Sequence, residues 1–317
     1  MENILYLVIP CYNEEEVLPE TAARIKKKMN DLIGRDKVDQ KSRVIFVNDG
    51  SKDNTWNIII NLHKQDKLFG GINLYRNRGH QNALLAGLLT VKDYADMVIS
   101  MDADLQDDIN AIDEMVDKYL SGVDVVYGVR SSRQEDSFFK KATAEGFYKT
   151  MNSLGANTVY NHADYRLMSR RAIEGLEQYK EVNLFLRGIV PTIGYPTDVV
   201  YYERGERYAG ESKYPLKKML SFAIEGITSF STKPIRMITG LGFFIFLVSI
   251  GMMIYSLIRH FMGETIIGWT TLMGSMWAIG GLILLSLGVV GEYIGKIYLE
   301  TKARPRFMVE QFINEKE

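Results

Sequence analysis

Two long segments without a charged residue constrain this chain more than any other feature. Residues 237–258 form a run of 22, residues 265–291 form a run of 27, and only six residues separate them. A helix of about 20 apolar residues crosses the hydrocarbon core of a bilayer, so each run is long enough to span it. A buried core helix is the alternative for either run, but two runs joined by a short loop favour a membrane hairpin. We therefore expect a two-span membrane protein with a large soluble part.

Basic residues near the hairpin predict its orientation. They flank the hairpin on both sides in the sequence: Lys213, Lys217, Lys218, Lys233 and Arg236 precede it, and Lys296, Lys302, Arg304 and Arg306 follow it. The connecting loop offers only Arg259 and His260. Because positively charged flanks remain in the cytoplasm, we predict a multi-pass protein of the cell membrane whose soluble part and C-terminal segment are cytoplasmic.

Charge and cysteine content exclude other classes of protein. The 317 residues carry a net charge of −1, so no global positive field attracts nucleic acid and we expect no nucleic-acid partner. The single cysteine, Cys11, excludes an internal disulfide and fits a reducing compartment.

Before the hairpin, short apolar segments alternate with segments of helical periodicity. The predicted strands are residues 4–9, 43–47, 71–75, 97–101 and 124–127. The predicted helices between them are residues 14–32, 55–67, 81–91 and 109–120. This alternation predicts an α/β fold with a mostly parallel sheet and helices on both faces. Ligands of such sheets bind at the carboxyl ends of the strands, so polar residues there are the first candidates for a site.

The patterns divide the chain into four parts. Residues 1–212 form the soluble domain, residues 213–235 an interfacial segment, residues 236–297 the hairpin, and residues 298–317 a cytoplasmic tail. The interfacial segment has an apolar stripe with lysines near its start, which predicts an amphipathic helix lying in the membrane interface. Packing of that helix on the soluble domain is the alternative. Gly291 and Gly295 have the small-xxx-small spacing that lets helices approach closely, which is weak evidence for a homo-oligomer.

Acidic residues crowd the end of the fourth predicted strand. Asp102 and Asp104 follow it, and because alternate residues of an extended chain point the same way, their carboxylates can share one ligand. Oxygen ligands suit Mg²⁺ or Mn²⁺ bridged to substrate phosphates, so we favour a metal or nucleotide contact. Asp107 and Asp108 are better explained as acids that cap the following helix.

The ends of the first two strands carry weaker signals. Asp49 lies in an Asp-Gly-Ser turn, which can present a carboxylate and backbone N–H groups to a ligand but is also ordinary turn chemistry. Asn13 and Glu14 follow the first strand, and the alternative for them is capping of the next helix.

Four motifs in this order and spacing carry a family resemblance: VIPCYNEEE, VNDGSKDNT, RNRGHQNALLAGL and MDADLQDD. They resemble the family-two glycosyltransferases, whose catalytic domain has the Rossmann-like GT-A fold. The later HADYRLMSRRA and ERYAGESKYPLKKM, followed by two spans, resemble the bacterial polyprenyl-phosphate glycosyltransferases, relatives of dolichyl-phosphate mannose synthase. The resemblance covers nearly the whole chain. It implies transfer of a sugar from a nucleotide diphosphate sugar to a lipid phosphate.

The resemblance also implies roles for residues at matching positions. The nucleotide-sugar pocket would be lined by Pro10, Tyr12, Glu14, Asp49 and Asp102. Asp104 would be the direct ligand of Mg²⁺ or Mn²⁺, with Gln106 beside it. The ion would neutralise the diphosphate and stabilise the departing nucleotide.

Asp164, in HADYRLMS, matches the position where this family carries its candidate base. The alternative is a structural acid paired with Arg166. A lipid phosphate has a second pKa of about 6, by analogy with phosphoamino acids, so most of it is already dianionic at cytoplasmic pH. A strong base is therefore unnecessary, and Asp164 could instead orient the acceptor or stabilise positive charge on the anomeric carbon.

The acceptor phosphate requires positive charge, and five residues are candidates to bind it: Arg130, Arg133, Arg207, Ser212 and Lys213. Arginine suits bidentate contact with phosphate, whereas lysine acts as a point charge. Each could be an ordinary surface residue, but the last three stand immediately before the segment that faces the membrane.

The predicted function is inverting transfer of a sugar, with glucose favoured, from a UDP-sugar to undecaprenyl phosphate, which supplies a lipid-linked sugar for cell-envelope glycosylation. The same chemistry with N-acetylglucosamine, mannose from GDP-mannose, galactose or aminoarabinose is the alternative. A processive polysaccharide synthase is disfavoured because the sequence contains no Gln-x-x-Arg-Trp element. A non-catalytic, membrane-anchored nucleotide-sugar sensor is disfavoured because Asp104 and Asp164 are both present.

Overall fold

The chain is divided into two structural units. The computed structural model describes residues 3–131, 162–182, 185–203, 205, 233–262 and 268–314. The first unit comprises Met1–Tyr148, Thr158–Tyr214 and Arg304–Glu317, and the second comprises Lys149–Asn157 and Pro215–Ala303.

The first unit is built on one eight-stranded sheet with helices packed against it. Its strands are β1 (Leu5–Cys11), β2 (Arg43–Asn48), β3 (Phe69–Leu74), β4 (Met97–Ser100), β5 (Val125–Arg130), β6 (His162–Ser169), β7 (Thr197–Tyr202) and β8 (Val309–Ile313). Its described helices are α1 (Leu18–Gly34), α2 (Thr55–Gln65), α3 (His80–Val91), α4 (Ala111–Leu120), α5 (Arg170–Glu177) and α6 (Leu186–Thr192).

The strands of the sheet follow the order β7-β5-β6-β4-β1-β2-β3-β8. The pairs β1–β2, β1–β4, β2–β3 and β5–β7 are parallel. The pairs β4–β6, β5–β6 and β3–β8 are antiparallel. The predicted α/β fold with a mostly parallel sheet is thus confirmed, and the carboxyl ends of β1, β2, β3 and β4 lie at one edge.

The centre of the sheet explains why its strands were readable in the sequence. Every residue of β1 is buried, as expected for a parallel strand covered on both faces, so the strand is a continuous apolar run. The α1 helix contributes Ile25, Met29 and Leu32 from one face to the same core. A Cβ atom at Gly87 of α3 would lie 2.4 Å from Cγ1 of Val8, so only glycine permits this close approach of helix and sheet.

The first apolar run and residues 269–291 of the second lie in long helices of the second unit. These are α7 (Lys233–Phe261, 29 residues) and α8 (Trp269–Lys302, 34 residues). Within the described residues, one segment is long and apolar enough to cross a membrane, Ala278–Lys302, while Ile235–Ile245 of α7 is apolar but shorter. Membrane association through the C-terminal helices is supported, and two crossings remain a prediction.

Several predicted features lie outside the described residues. They are the phosphate-binding candidates Arg133, Arg207, Ser212 and Lys213, and nearly all of the interfacial segment, whose last residues open α7. Their roles stay predictions.

Candidate active site

The loops that follow β1 and β2 are bound to each other. The N–H of Asn13 donates to Oγ of Ser51 at 3.0 Å, and Oδ1 of Asn13 accepts the N–H of Lys52 at 2.9 Å. The N–H of Glu14 donates to Oγ1 of Thr55 at 3.0 Å. No side chain caps the N-terminus of α1. Asn13 therefore joins the two strand-end loops, and the alternative that it caps the next helix is wrong.

Pro10 and Tyr12 flank the end of β1. Pro10 pairs with Val47 of β2 and is buried, whereas Tyr12 is 42% exposed beside the joined loops. An exposed aromatic ring at the carboxyl edge suits a planar base, and this role remains a prediction for Tyr12.

Asp49 is buried and holds the loop between β3 and α3. Its Oδ1 accepts the N–H of Arg78 at 2.7 Å, and its Oδ2 accepts the N–H of Gly79 at 2.9 Å. Burial raises the pKa of Asp49, although both hydrogen bonds favour the ionised form. The next residue, Gly50, has a φ of +63°, and a Cβ there would lie 2.5 Å from the backbone N of Asn77. Asp49 thus fixes the loop that leads into α3, a structural role that the sequence did not indicate.

Asp102 and Asp104 follow β4 on a segment whose buried and accessible residues alternate. Met101, Ala103 and Leu105 are buried, while both aspartates are partly exposed. The carbonyl of Ala103 accepts from Oγ1 of Thr21 at 2.8 Å, which fastens the segment to α1.

The same segment turns sharply at Leu105, whose φ is 58°. Oδ1 of Asp104 accepts the N–H of Gln106 at 3.2 Å, and the carbonyl of Gln106 accepts the N–H of Gly205 at 2.9 Å. The turn therefore holds Asp104 and Gln106 together at the carboxyl edge of the sheet.

The interpretation of Asp107 as a helix cap is wrong. Its carboxylate is buried and accepts the hydroxyl of Tyr202, on β7, while Nη2 of Arg130 lies 3.6 Å from its Oδ1. Burial raises the pKa of Asp107, and the negative charge of Asp102 adds to the shift. Asp108 does bind the N–H of Asn110 near the start of α4, at 2.9 Å. Arg130 faces Asp107 and Tyr202 in this structure, so its proposed contact with a lipid phosphate remains a prediction.

Asp164, on β6, is buried between two arginines. Its Oδ1 accepts from Nη2 of Arg166 at 2.6 Å, and its Oδ2 accepts from Nη2 of Arg187, on α6, at 3.0 Å. Burial alone would raise the pKa of Asp164, but the charges of Arg187 and Arg166 outweigh it and hold the pKa far below its usual range. A carboxylate that resists protonation this strongly is a poor general base at neutral pH.

His80, the first residue of α3, connects Asp164 to the acidic segment. Its Nε2 lies 3.0 Å from Oδ1 of Asp102, and its Nδ1 lies 3.9 Å from Oδ2 of Asp164. Desolvation lowers the pKa of His80, but the hydrogen bond to Asp102 and the charge of Asp164 outweigh it, so the pKa is raised. One imidazole therefore bridges two carboxylates that are far apart in the sequence.

Comparison with known proteins identifies the family. The family described as Glycosyl transferase family 2 matches residues 6–176, slightly more than half of the chain. The chain belongs to glycosyl transferase family 2. A second family, described as the GtrB C-terminal hairpin, matches residues 233–297 of this glycosyltransferase. The family resemblance found in the motifs is thereby confirmed.

Relatives match this family 2 glycosyltransferase along nearly its whole length. The uncharacterized glycosyltransferase YkoT of Bacillus subtilis is 51% identical, with 98% of this chain and 92% of that protein covered. The bactoprenol glucosyl transferase of Shigella phage SfX is 40% identical, with 96% and 98% covered. Among solved structures, mannosyl-3-phosphoglycerate synthase from Rubrobacter xylanophilus is 16% identical with a TM-score of 0.47, covering 70% of this chain and 71% of that one.

Three residues of the candidate site were not predicted from the sequence of this glycosyltransferase: His80, Arg187 and Tyr202. For His80 there was a signal, because it follows the third strand within the RNRGHQNALLAGL motif, at the same sheet edge as the acidic segment. Arg187 and Tyr202 gave none, because only the folded chain brings them to Asp164 and Asp107.

The acidic segment of the glycosyltransferase fits a divalent cation. Asp102 and Asp104 offer only oxygen donors, and their negative charge raises the pKa of the buried Asp107 after the larger effect of burial. Within the part of the chain that the structure describes, no group of three or more His, Cys, Asp or Glu is arranged to enclose a metal. Mg²⁺ is usually bound by one or two carboxylates, with waters and substrate phosphates as its other ligands, and the carboxylates of Asp102 and Asp104 suit this ion or Mn²⁺.

Proposed function

We propose that this glycosyltransferase transfers glucose from UDP-glucose to undecaprenyl phosphate, with inversion at the anomeric carbon. Support for the substrates comes from relatives named bactoprenol glucosyl transferases, 40% identical over nearly the whole chain. A β-linked lipid-phosphate glucose would result from the α-linked donor.

The His80 bridge is the structural observation that carries the proposal. The imidazole lies between Asp102, which we take as part of the donor side, and Asp164, which we take to face the reacting carbon. A nucleotide sugar bound along the carboxyl edge would extend from the joined loops at Tyr12 and Ser51, past Asp102, to Asp164.

The charge of Asp164 favours one of the roles considered for it. Because two arginines keep it ionised, we assign it to stabilising positive charge on the anomeric carbon and to orienting the acceptor, rather than to removing a proton. The acceptor phosphate needs no base, since its second pKa is about 6 and most of it is already dianionic. Arg187 and Arg166 hold the carboxylate in place for this task.

Asp104 and Gln106 would hold the divalent cation. A bound Mg²⁺ or Mn²⁺ supplies positive charge against the diphosphate of the donor. The protein's own contribution is the turn at Leu105, which keeps Asp104 and Gln106 on the accessible side of the acidic segment.

The C-terminal strand supports two membrane crossings. β8 follows α8 in the chain, yet it pairs with β3, which precedes α7. The segments before and after the helical hairpin therefore contribute strands to one sheet, which supports our proposal of an even number of crossings. With basic flanks at both ends, we place the catalytic domain and the C-terminal segment in the cytoplasm.

The proposal is tested by release of UDP from purified full-length protein in detergent with Mg²⁺. We expect release from UDP-glucose that requires added undecaprenyl phosphate, stops in excess chelator, and gives a β-linked product by NMR. UDP-N-acetylglucosamine, UDP-galactose and GDP-mannose serve as competing donors. UDP release that ignores the lipid phosphate, or a product with retained configuration, would contradict the proposal.

A further inference from the structure

A series of hydrogen bonds crosses the sheet from the C-terminal strand to the loops after β2 and β1. Oε2 of Glu310 accepts from Nδ2 of Asn73 at 2.6 Å, and Oδ1 of Asn73 accepts from Nδ2 of Asn48 at 2.6 Å. Oδ1 of Asn48 accepts the N–H of Ser51 at 3.2 Å, and Oγ of Ser51 accepts the N–H of Asn13 at 3.0 Å. Residues of β8, β3 and β2 are thus connected, side chain to side chain, with the turn beside the proposed donor pocket.

The direction of these hydrogen bonds is fixed at both ends. The carboxylate of Glu310 can only accept, so Asn73 must turn its NH₂ group toward it and its carbonyl toward Asn48. The N–H of Ser51 can only donate, so Asn48 must turn its carbonyl toward the loop. Both requirements select the same orientation of the two amides.

Glu310 reaches Asn73 because β8 is irregular at this position. Asn73 pairs with Gln311, but the next residue, Leu74, pairs with Val309, so Glu310 is the extra residue of a bulge. Bulges re-aim side chains and are frequent beside active sites. An exposed residue on an edge strand is thereby turned onto a polar side chain of its neighbour.

Because Asn48 is buried, breaking its hydrogen bonds costs more free energy than breaking those of an exposed residue. Asn48 is only 3% exposed, so an Asn48 amide that loses a partner cannot readily replace it with water. If Glu310 is removed, Asn73 can rotate its amide, and the hydrogen bond that orients Asn48 toward Ser51 is weakened. The carboxylate of Glu310 therefore affects the turn at Ser51 without contacting it.

We propose that Glu310 is a positioning residue for the nucleotide sugar, holding the Ser51 turn through Asn73 and Asn48 in the conformation that binds the donor. The inference rests on the proposed function, because it takes the joined loops as the donor pocket. The segment that follows the membrane hairpin is then a component of the donor site as well as a cytoplasmic tail.

The test compares Glu310→Ala and Glu310→Gln with Gln311→Ala, a change at the adjacent exposed residue of β8 that is outside the series. Full-length proteins are assayed for affinity for UDP with Mg²⁺ by calorimetry, KM for donor and acceptor, kcat, and the midpoint of thermal unfolding. We expect Glu310→Ala to weaken UDP binding and raise the donor KM about three- to tenfold, as residues coupled to a site from outside do. The kcat and the acceptor KM should stay unchanged.

Glu310→Gln should restore UDP affinity, because its amide oxygen can accept from Asn73, and Gln311→Ala should match the wild type. Equal UDP affinity in Glu310→Ala and Gln311→Ala would overturn the inference. The inference would also be overturned if Glu310→Ala lowered kcat, raised KM for both substrates and lowered the unfolding midpoint together, since that pattern marks a structural role only.

The proposed substrates alone would be wrong if the wild type binds UDP but uses another sugar or acceptor. In that case the comparison of UDP affinities still tests the role of Glu310. If it binds no uridine nucleotide, the proposed function and this inference fail together.

Discussion

At the scale of single residues, two arginines determine what Asp164 can do. Replacing it by asparagine keeps its shape but removes the charge that, in the proposed mechanism, faces the anomeric carbon. We expect Asp164→Asn to lower kcat by on the order of 10²–10³, as for other groups that act chiefly in the transition state. Affinity for UDP should be retained, and both quantities can be measured on the purified protein.

Asp124→Asn is the matched control for that experiment. Asp124 is also a buried acid bound by an arginine, Arg171, and its Oδ1 accepts from Oγ of Ser169 at 2.7 Å. It precedes β5 and so lies at the opposite end of that strand from Arg130. The control should lose stability but keep kcat. Normal turnover by Asp164→Asn would mean that Asp164 does not face the reacting carbon.

The raised pKa of His80 makes one part of the stability depend on pH. A histidine whose pKa is higher in the folded state stabilises the protein fully below its unfolded pKa, about 6.5, and loses this contribution as the pH rises through the folded value. The wild type should therefore exceed His80→Gln in unfolding midpoint by more at pH 5.5 than at pH 8.5, measured in chelator. A difference that grows toward pH 8.5 would show that the imidazole is bound neutral between Asp102 and Asp164.

How much of the site the sequence could reveal depends on the distance between partners. Asp102 and Asp104 were found because they follow a predicted strand, and strand ends locate ligands in parallel sheets. Asp107 was misread because its partner Tyr202 is 95 positions away. A local pattern of acids before a helix favours capping, and only tertiary structure shows that one of them is buried.

At the scale of elements, β1 to β5 could be predicted from local sequence, whereas β6 to β8 could not. The first five strands are short apolar runs between helices, and each was predicted within a few residues of its bounds. Apolar and polar residues alternate only weakly in β8, and the strand is half exposed. Its partner β3 precedes α7 and α8 in the chain. Nothing in the local sequence of β8 therefore marks it as part of the sheet.

β8 covers an edge that would otherwise be open. Without it, β3 presents unpaired backbone groups, which invite association with other chains. We expect residues 1–232 joined by a flexible linker to residues 304–317 to unfold at a higher temperature than residues 1–232 alone, and to remain monomeric in size-exclusion chromatography. Equal unfolding temperatures for the two proteins would show that β8 adds nothing to the sheet.

At the scale of the whole molecule, the pairing of β3 with β8 makes a prediction about topology. The chain has one cysteine, Cys11, which is buried, so a Cys11→Ser background is free of thiols. In that background we expect Gly263→Cys to react with a membrane-impermeant maleimide on intact cells, and Glu317→Cys to react only after lysis. The reverse pattern would put the catalytic domain away from cytoplasmic nucleotide sugars.

The sheet also imposes an order of events during synthesis. Leu74 and Val309 pair in the finished protein, but 235 positions separate them in the chain. At about 5–20 residues per second, the ribosome needs roughly 12–47 s between the two. During that time the edge of β3 has no β8 to pair with, while α7 and α8 are synthesised. The sheet of the first unit is thus complete only after α7 and α8 have been translated, so a nascent chain stalled before residue 309 should be more sensitive to protease than one stalled well beyond it.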